Sequence, residues 1–260
     1  MIKKIIKVSI FIITVMSISL FALYYEQKIP VLGYHSFYKI KGEEKYKGLM
    51  TMNIKDFDKQ MKYLYDHNYK TLSMDEFYCW KKSKCAFPRK SVVITLDDGF
   101  LSNYLYAFDI LKKYDFKATV FIIGQVNQDS NGLGDSNSYM SYEQIKEIEK
   151  EYPNIAFESH TYNMHDFDLN YKTEEVLKDD INKFKEYYNT KYHAYPYGLS
   201  NKLMRDTYKN SGFNLAFGFG PNSNDFRKAR KSDDNYNIPR LSMNGNMGFW
   251  KFKLRLLLPF

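Results

Sequence analysis

A chain of 260 residues with 44% hydrophobic content is long enough for one large α/β domain or two small ones, and its apolar share excludes an intrinsically disordered protein. The formal net charge is +8, but the lysines are spread along the chain and surround no reader motif, which excludes a recognisable nucleic-acid binder and leaves an anionic cell surface as the fitting partner. Aromatic residues make up 18% of the chain, dominated by 24 Tyr and 20 Phe. That composition suits wide apolar packing with hydroxyls left over to line a cleft.

The chain opens on "MIKKIIKVSIFIITVMSISLFALYYEQK", three lysines followed from Val8 to Tyr25 by an uncharged, mostly apolar run of bilayer-spanning length. It reads as an export signal, and Leu20-Phe21-Ala22 is a poor cleavage site, so residues 1–28 are expected to remain as an anchor with the positive end inside. Residues 29–260 then form one further unit, since no repeat, low-complexity tract or Pro/Gly-rich linker divides them. In that unit short apolar runs alternate with amphipathic helices. Strands are expected at 29–35, 69–74, 91–98, 117–124, 154–160, 191–196, 214–220 and 237–243, several of them continuous apolar runs of the kind buried parallel strands require.

Between them, Asn53 can cap a helix burying Ile54, Phe57, Met61 and Leu64, while Ser141 with Gln144 makes a capping box. Thr173 precedes Val176, Leu177, Ile181 and Phe184, and Ser200 opens a helix closed by Gly212. Residues 124–139 are expected to be one long polar loop. Two cysteines, Cys79 and Cys85, either form a disulfide around "WKKSK" or stay as free thiols. Alternating strands and helices define a wound parallel sheet, open or closed into a barrel.

In such folds chemistry gathers at the carboxyl ends of the strands. His35 falls at the end of the first strand, Asp97 and Asp98 of "TLDDGF" at the end of the third, His160 of "FESHTYNMH" at the end of the fifth, and the "AYPYG" corner after the sixth. Neighbouring carboxylates on a strand point differently and can take separate tasks, one holding a cation and the other moving protons. One Asp with two His is an open site for a borderline divalent ion, and it explains why His160 and His165 straddle a turn. His67 and His193 lie away from any such partner.

"TLDDG", the histidine pair and "YPYG" resemble the polysaccharide deacetylases of carbohydrate esterase family 4. The usual first motif reads T-F-D-D-G, so Leu96 is a mild substitution, and the usual histidine spacing is four rather than the five found here. That departure, with "VLGYHSF" and "NYNIPRLSM", looks like the exported poly-β-1,6-N-acetyl-D-glucosamine N-deacetylases of biofilm formation. The resemblance implies a distorted (β/α) barrel of about seven strands. It implies a hydrolase releasing acetate from an exopolysaccharide, with zinc as the metal and cobalt or nickel as substitutes. Asp98, His160 and His165 would be metal ligands, Asp97 the general base, His35 the general acid, and Tyr197 the residue whose backbone N–H faces the oxyanion. The family's third motif carries an Arg that braces the base, where this chain reads "HAYPYG"; Arg240 is the expected substitute. A monomer acting at the envelope or membrane surface completes the expectation. Peptidoglycan or chitin-oligosaccharide deacetylation, and a catalytically inactive glycan-binding helper, are the alternatives. The C-terminal "FWKFKLRLLLPF" is read as a last packed helix, with contact to a membrane surface as its rival.

Overall fold

The computed structural model describes residues 27–39, 50–135, 137–169, 172–219 and 227–258, with residues 9, 12 and 14–16 ahead of them. The expected anchor therefore lies almost wholly outside the described residues. Among those described, no helix is long and apolar enough to cross a membrane.

The continuous apolar run 91–98 becomes the longest strand, β5 (Ser91–Asp98), buried along its whole length. β1 (Val31–Tyr34) pairs with it on one side and β6 (Ala118–Ile122) on the other. β7 (Ile155–Ser159), β8 (Tyr192–Ala194) and β9 (Leu215–Phe217) follow outward from β6, and β10 (Leu241–Ser242) flanks β1. These seven strands are all parallel and form a curled (β/α) half-barrel. β4 (Lys70–Thr71) pairs with the start of β5. The segment leading to β10 links the two sides of the curl. Ile238 bridges Phe217 of β9, and a little further on Ser242 pairs with Gly33 of β1. Arg240 sits between those two attachments.

A separate parallel pair, β2 (Phe37–Tyr38) with β3 (Met52–Asn53), has no counterpart in the sequence reading, because two-residue strands carry no legible period. Alternation along β5 sorts the core. Val92, Ile94 and Leu96 pack outward under the helices, whereas Val93 turns inward to meet Phe121 and Phe217. Each such side chain taken from water contributes about 1.5–3 kcal/mol.

The helices start where side chains satisfy their first amides. α1 (Ile54–Asp66) is capped by Asn53 and buries the four apolar residues expected. α2 (Met74–Lys81) has a Ser73–Glu76 capping box and ends near the Cys79–Cys85 disulfide. A π-helical turn (Asn103–Ala107) runs into α3 (Phe108–Lys113). α4 (Gly124–Asp129) occupies the start of the segment expected to be all loop. α5 (Tyr142–Glu151) has the Ser141–Gln144 capping box.

α6 (Glu174–Tyr187), capped by Thr173, buries Leu177, Asp180, Ile181 and Phe184, while Val176 points outward. α7 (Lys202–Asn210) is capped by Asn201, whose Oδ1 accepts from Met204 N, rather than by Ser200, whose hydroxyl accepts from Arg205. α8 (Phe249–Leu257) packs Phe249 and Phe252 on Tyr63 of α1, and leaves Trp250, Leu254 and Leu257 exposed.

Candidate active site

The register Asp98↔Ile122, Ile122↔Ser159 and Ser159↔His193 levels the carboxyl ends of β5, β6, β7 and β8. Residues that follow these ends meet in one cleft of about 570 Å³, lined by His35, Asp97, Asp98, His160, His165 and Tyr197 among others. The chain reaches that cleft through backbone conformations that L-residues seldom adopt. Asp98 has φ 72°, Thr161 beside His160 has φ 75°, and Tyr197 has φ 56°. Such conformations persist only where the surroundings over-determine them, and they concentrate at functional sites.

At the end of β5, alternation turns Leu96 outward and Asp97 inward, and the positive φ of Asp98 then redirects the second carboxylate toward the histidines. Gly99 continues the turn with φ 74° and leaves room for Asn127, to whose side chain a Cβ would come within 2.7 Å. Buried Asn127 donates through Nδ2 to Gly99 O at 3.0 Å and Met140 O at 2.9 Å, tying the corner to α4.

Asp98, His160 and His165 offer ligand atoms that all lie within 4.8 Å of one another. Asp98 Oδ1 approaches His160 Nε2 at 3.3 Å and His165 Nε2 at 3.0 Å, yet makes a well-aligned hydrogen bond with neither. His160 Nδ1 lies 2.7 Å from Ala194 O, an atom that only accepts, so that nitrogen carries the proton. In a neutral ring, Nε2 then turns a lone pair toward a carboxylate oxygen. Acceptors converging on one point call for a cation between them, and one carboxylate with two imidazoles suits a divalent ion with open positions. The residues present thus fit the metal that the sequence implies. When no cation sits between them the imidazole proton takes its place: burial raises the Asp98 carboxyl, but hydrogen bonding and charge from imidazoles in the protonated form outweigh burial and hold the group far below the usual carboxylate range.

Asp97 is buried against Arg240. The guanidinium donates from one terminal nitrogen to Oδ1 at 2.6 Å and from the other to Oδ2 at 2.7 Å, and lies over the Phe219 ring at 4.2 Å. Burial pushes the Asp97 carboxyl up, and Arg240, with His160 and His35, brings it below its ordinary value. His35 Nε2 stands 3.8 Å from Asp97 Oδ2. Its ring packs near Phe219, and Nδ1 meets no hydrogen-bond partner among the described residues. Burial lowers its pKa, with Asp97 and Asp98 opposing, so the resting imidazole is biased toward the neutral form.

The "AYPYG" corner closes the fourth side. Pro196–Gly198 forms a short 3-10 turn whose hydrogen bonds run from Gly198 N to Tyr195 O and from Leu199 N to Pro196 O, leaving the Tyr197 N–H outside them. Gly198 is required here. It has φ 69°, and a Cβ would come within 1.9 Å of Phe219 N. The Tyr197 ring lies 4.8 Å from that of His165 and stacks on Phe167, and Phe100 stacks on Tyr139 elsewhere along the cleft.

All seven residues singled out from the sequence line or adjoin this cleft, Arg240 from behind Asp97. His193 is buried away from it, with Nδ1 3.1 Å from Ser159 Oγ and its ring stacked on Tyr208. His67 caps α1 and stacks on Tyr63. Sequence reading missed Asn127, Asp180 and Phe167. Asp180 alone left a signal, since it falls on the apolar stripe shared by Leu177, Ile181 and Phe184.

Fold and site together define a (β/α)-barrel protein with an open divalent-cation cradle beside an arginine-paired carboxylate. The chain belongs to the polysaccharide deacetylase family, whose sequence profile matches residues 84–216; metal dependence is typical of its members. It is 35% identical over 193 residues to the poly-β-1,6-N-acetyl-D-glucosamine N-deacetylase of Staphylococcus aureus strain MRSA252, across 65% of this chain. The match spans 63% of that relative's length. Among solved structures, the Streptococcus pyogenes deacetylase PplD, determined in complex with acetate, superposes with TM-score 0.77 at 26% identity, covering 90% of this chain and all of the other. IcaB from Ammonifex degensii shares the fold, with TM-score 0.70 at 23% identity, covering 88% of this chain and 96% of its own.

Proposed function

We propose that this protein hydrolyses the N-acetyl groups of poly-β-1,6-N-acetyl-D-glucosamine, releasing acetate and leaving cationic glucosamine units on the polymer. The observation that carries the reading is the convergence of Asp98, His160 and His165 beside an Asp97 held by Arg240, with His35 opposite, in a cleft bordered by stacked aromatic rings. Similarity to the staphylococcal deacetylase supports the choice of polymer.

An amide carbonyl is a poor electrophile and its amine a poor leaving group, so both ends need help. Asp98, His160 and His165 would hold a divalent ion, zinc in this reading with cobalt or nickel as substitutes, which supplies Lewis-acid polarisation of the carbonyl and a more acidic attacking water. Asp97, kept ionised and oriented by Arg240, accepts the proton of that water. His35, neutral at rest, takes that proton over from Asp97 and, so protonated, delivers a proton to the departing nitrogen. The two groups face each other at 3.8 Å, so the proton gained and the proton given are handled within one pair. The Tyr197 N–H, outside the corner's own hydrogen bonds, is assigned to the oxyanion, a contact typically worth about 3–4 kcal/mol. Stacked pairs such as Phe167–Tyr197 present faces that suit sugar rings.

The reading extends to location. Residues 1–28 serve as an N-terminal export signal and membrane anchor, and 29–260 act as a monomer at the envelope surface. The Cys79–Cys85 disulfide supports an oxidising compartment.

The test is acetate release from poly-β-1,6-N-acetylglucosamine oligomers by residues 29–260 with zinc, with chelator, and with Asp98→Ala. Zinc-dependent release that is abolished in the last two conditions is expected. Release only from peptidoglycan or chitin oligomers moves the specificity to a sister polymer. Polymer binding without release from any of them, with or without metal, identifies a glycan-binding helper instead.

A further inference from the structure

The two histidines facing Asp98 are carried by a loop, residues 160–165, that has no regular hydrogen-bonding pattern of its own. Its backbone is held from outside on both polarities. On the carbonyl side, Thr161 O accepts from Gly124 N at 3.0 Å and Tyr162 O from Gln125 N at 2.8 Å, both at the start of α4. On the amide side, the Asp180 carboxylate of α6 takes both exposed donors. Tyr162 N donates to Oδ2 at 2.9 Å and Asn163 N to Oδ1 at 2.7 Å.

Two successive amides that follow a residue of positive φ, here Thr161 at 75°, form a concave nest for an anion, and Asp180 fills it. Asp180 is itself buried at 5% exposure, on the core stripe of its helix, so its own position is fixed by packing rather than by solvent. Lys172, equally buried, donates to Met164 O at 3.4 Å and Asp166 O at 3.3 Å on the far side of His165.

The geometry points to Asp180 as a positioning residue for the metal site: its carboxylate sets the separation and aim of His160 and His165 by gripping the two amides between them. A five-residue histidine spacing has more backbone between the ligands to misplace, and this grip removes that freedom. Asp180 is not among the residues that line the cleft and bonds instead to the loop's amides, so its effect reaches the chemistry through the loop. The inference rests on the metal site proposed above.

Zinc affinity is measured by competition with a chromophoric chelator on the full chain in detergent, for the parent, Asp180→Asn, Asp180→Glu and the neighbouring surface variant Asp179→Asn. Outer partners of metal ligands typically contribute about 10- to 100-fold in affinity. A loss of that size is expected in Asp180→Asn, where an amide NH2 must replace one carboxylate acceptor, with a smaller loss in Asp180→Glu and none in Asp179→Asn. Amide hydrogen exchange of Tyr162 and Asn163, measured on the same metal-free proteins, is expected to quicken only in the Asp180 variants. A folded Asp180→Asn that binds zinc within about twofold of the parent overturns the inference and leaves the metal site standing. A parent that binds no zinc overturns both. If Asp180→Asn does not fold, slow exchange at both amides in the parent upholds the grip, and fast exchange overturns it.

Discussion

At the scale of single residues, the site turns on how one buried carboxylate is kept charged. Asp97 has left water, and the two-pronged Arg240 guanidinium is its direct hydrogen-bonded counter-charge. Removing one member of a buried pair strands the other, at a cost of about 3–5 kcal/mol. Arg240→Met is therefore expected to lower the thermal unfolding midpoint by several degrees and to abolish acetate release, while Arg240→Lys, which keeps the charge without the planar fork, retains a small part of each. Unfolding scans and acetate assays on the two variants check this. Asp97, Asp98 and the histidine pair were legible because carboxylates and imidazoles stand out against apolar strand ends. Arg240 was legible only as a substitution for a missing motif residue, since nothing in "NIPRLSM" says that its strand closes the curl. Asn127 was illegible, because its role depends on two carbonyls brought to it by the fold.

At the scale of elements, continuous apolar runs and side-chain caps gave most strands and helix starts, and the misses have physical reasons. Ser200 and Asn201 are both competent caps, and only backbone direction decides between them. β2 and β3 are held by tertiary packing rather than by pattern. β7 also carries an acid that pattern alone would have turned to solvent. Burial lifts the Glu158 carboxyl to about 7, despite hydrogen bonds from Thr190 Oγ1, Lys191 N and Tyr192 N to one of its oxygens. An acid whose pKa is raised on folding holds its proton more tightly in the folded state. Its contribution is thus complete below the unfolded value near 4.5 and is lost as the pH climbs through about 7. At 1.36 kcal/mol per unit this amounts to something on the order of 3 kcal/mol. The unfolding midpoint is expected to fall between about pH 5 and pH 8, and Glu158→Gln to flatten that slope; thermal scans across the range measure both.

At the scale of the whole molecule, the parallel curl brings residues far apart in sequence to one rim, which is why a short motif search finds the parts and only the topology shows them assembled. The N-terminal segment lies almost wholly outside the described residues, so its proposed role is tested in cells. The full chain is expected in the membrane fraction and residues 29–260 in the soluble fraction, and full-length protein that washes off in high salt would contradict an inserted anchor. The closing segment 238–242 has a temporal consequence. Asp97 is synthesised well before Arg240, and until that later segment docks between β9 and β1 the carboxylate lacks its two-pronged partner. A nascent chain can therefore pair its early strands before Arg240 is there to hold the Asp97 carboxylate, and the proposed site is complete only once β10 is in place.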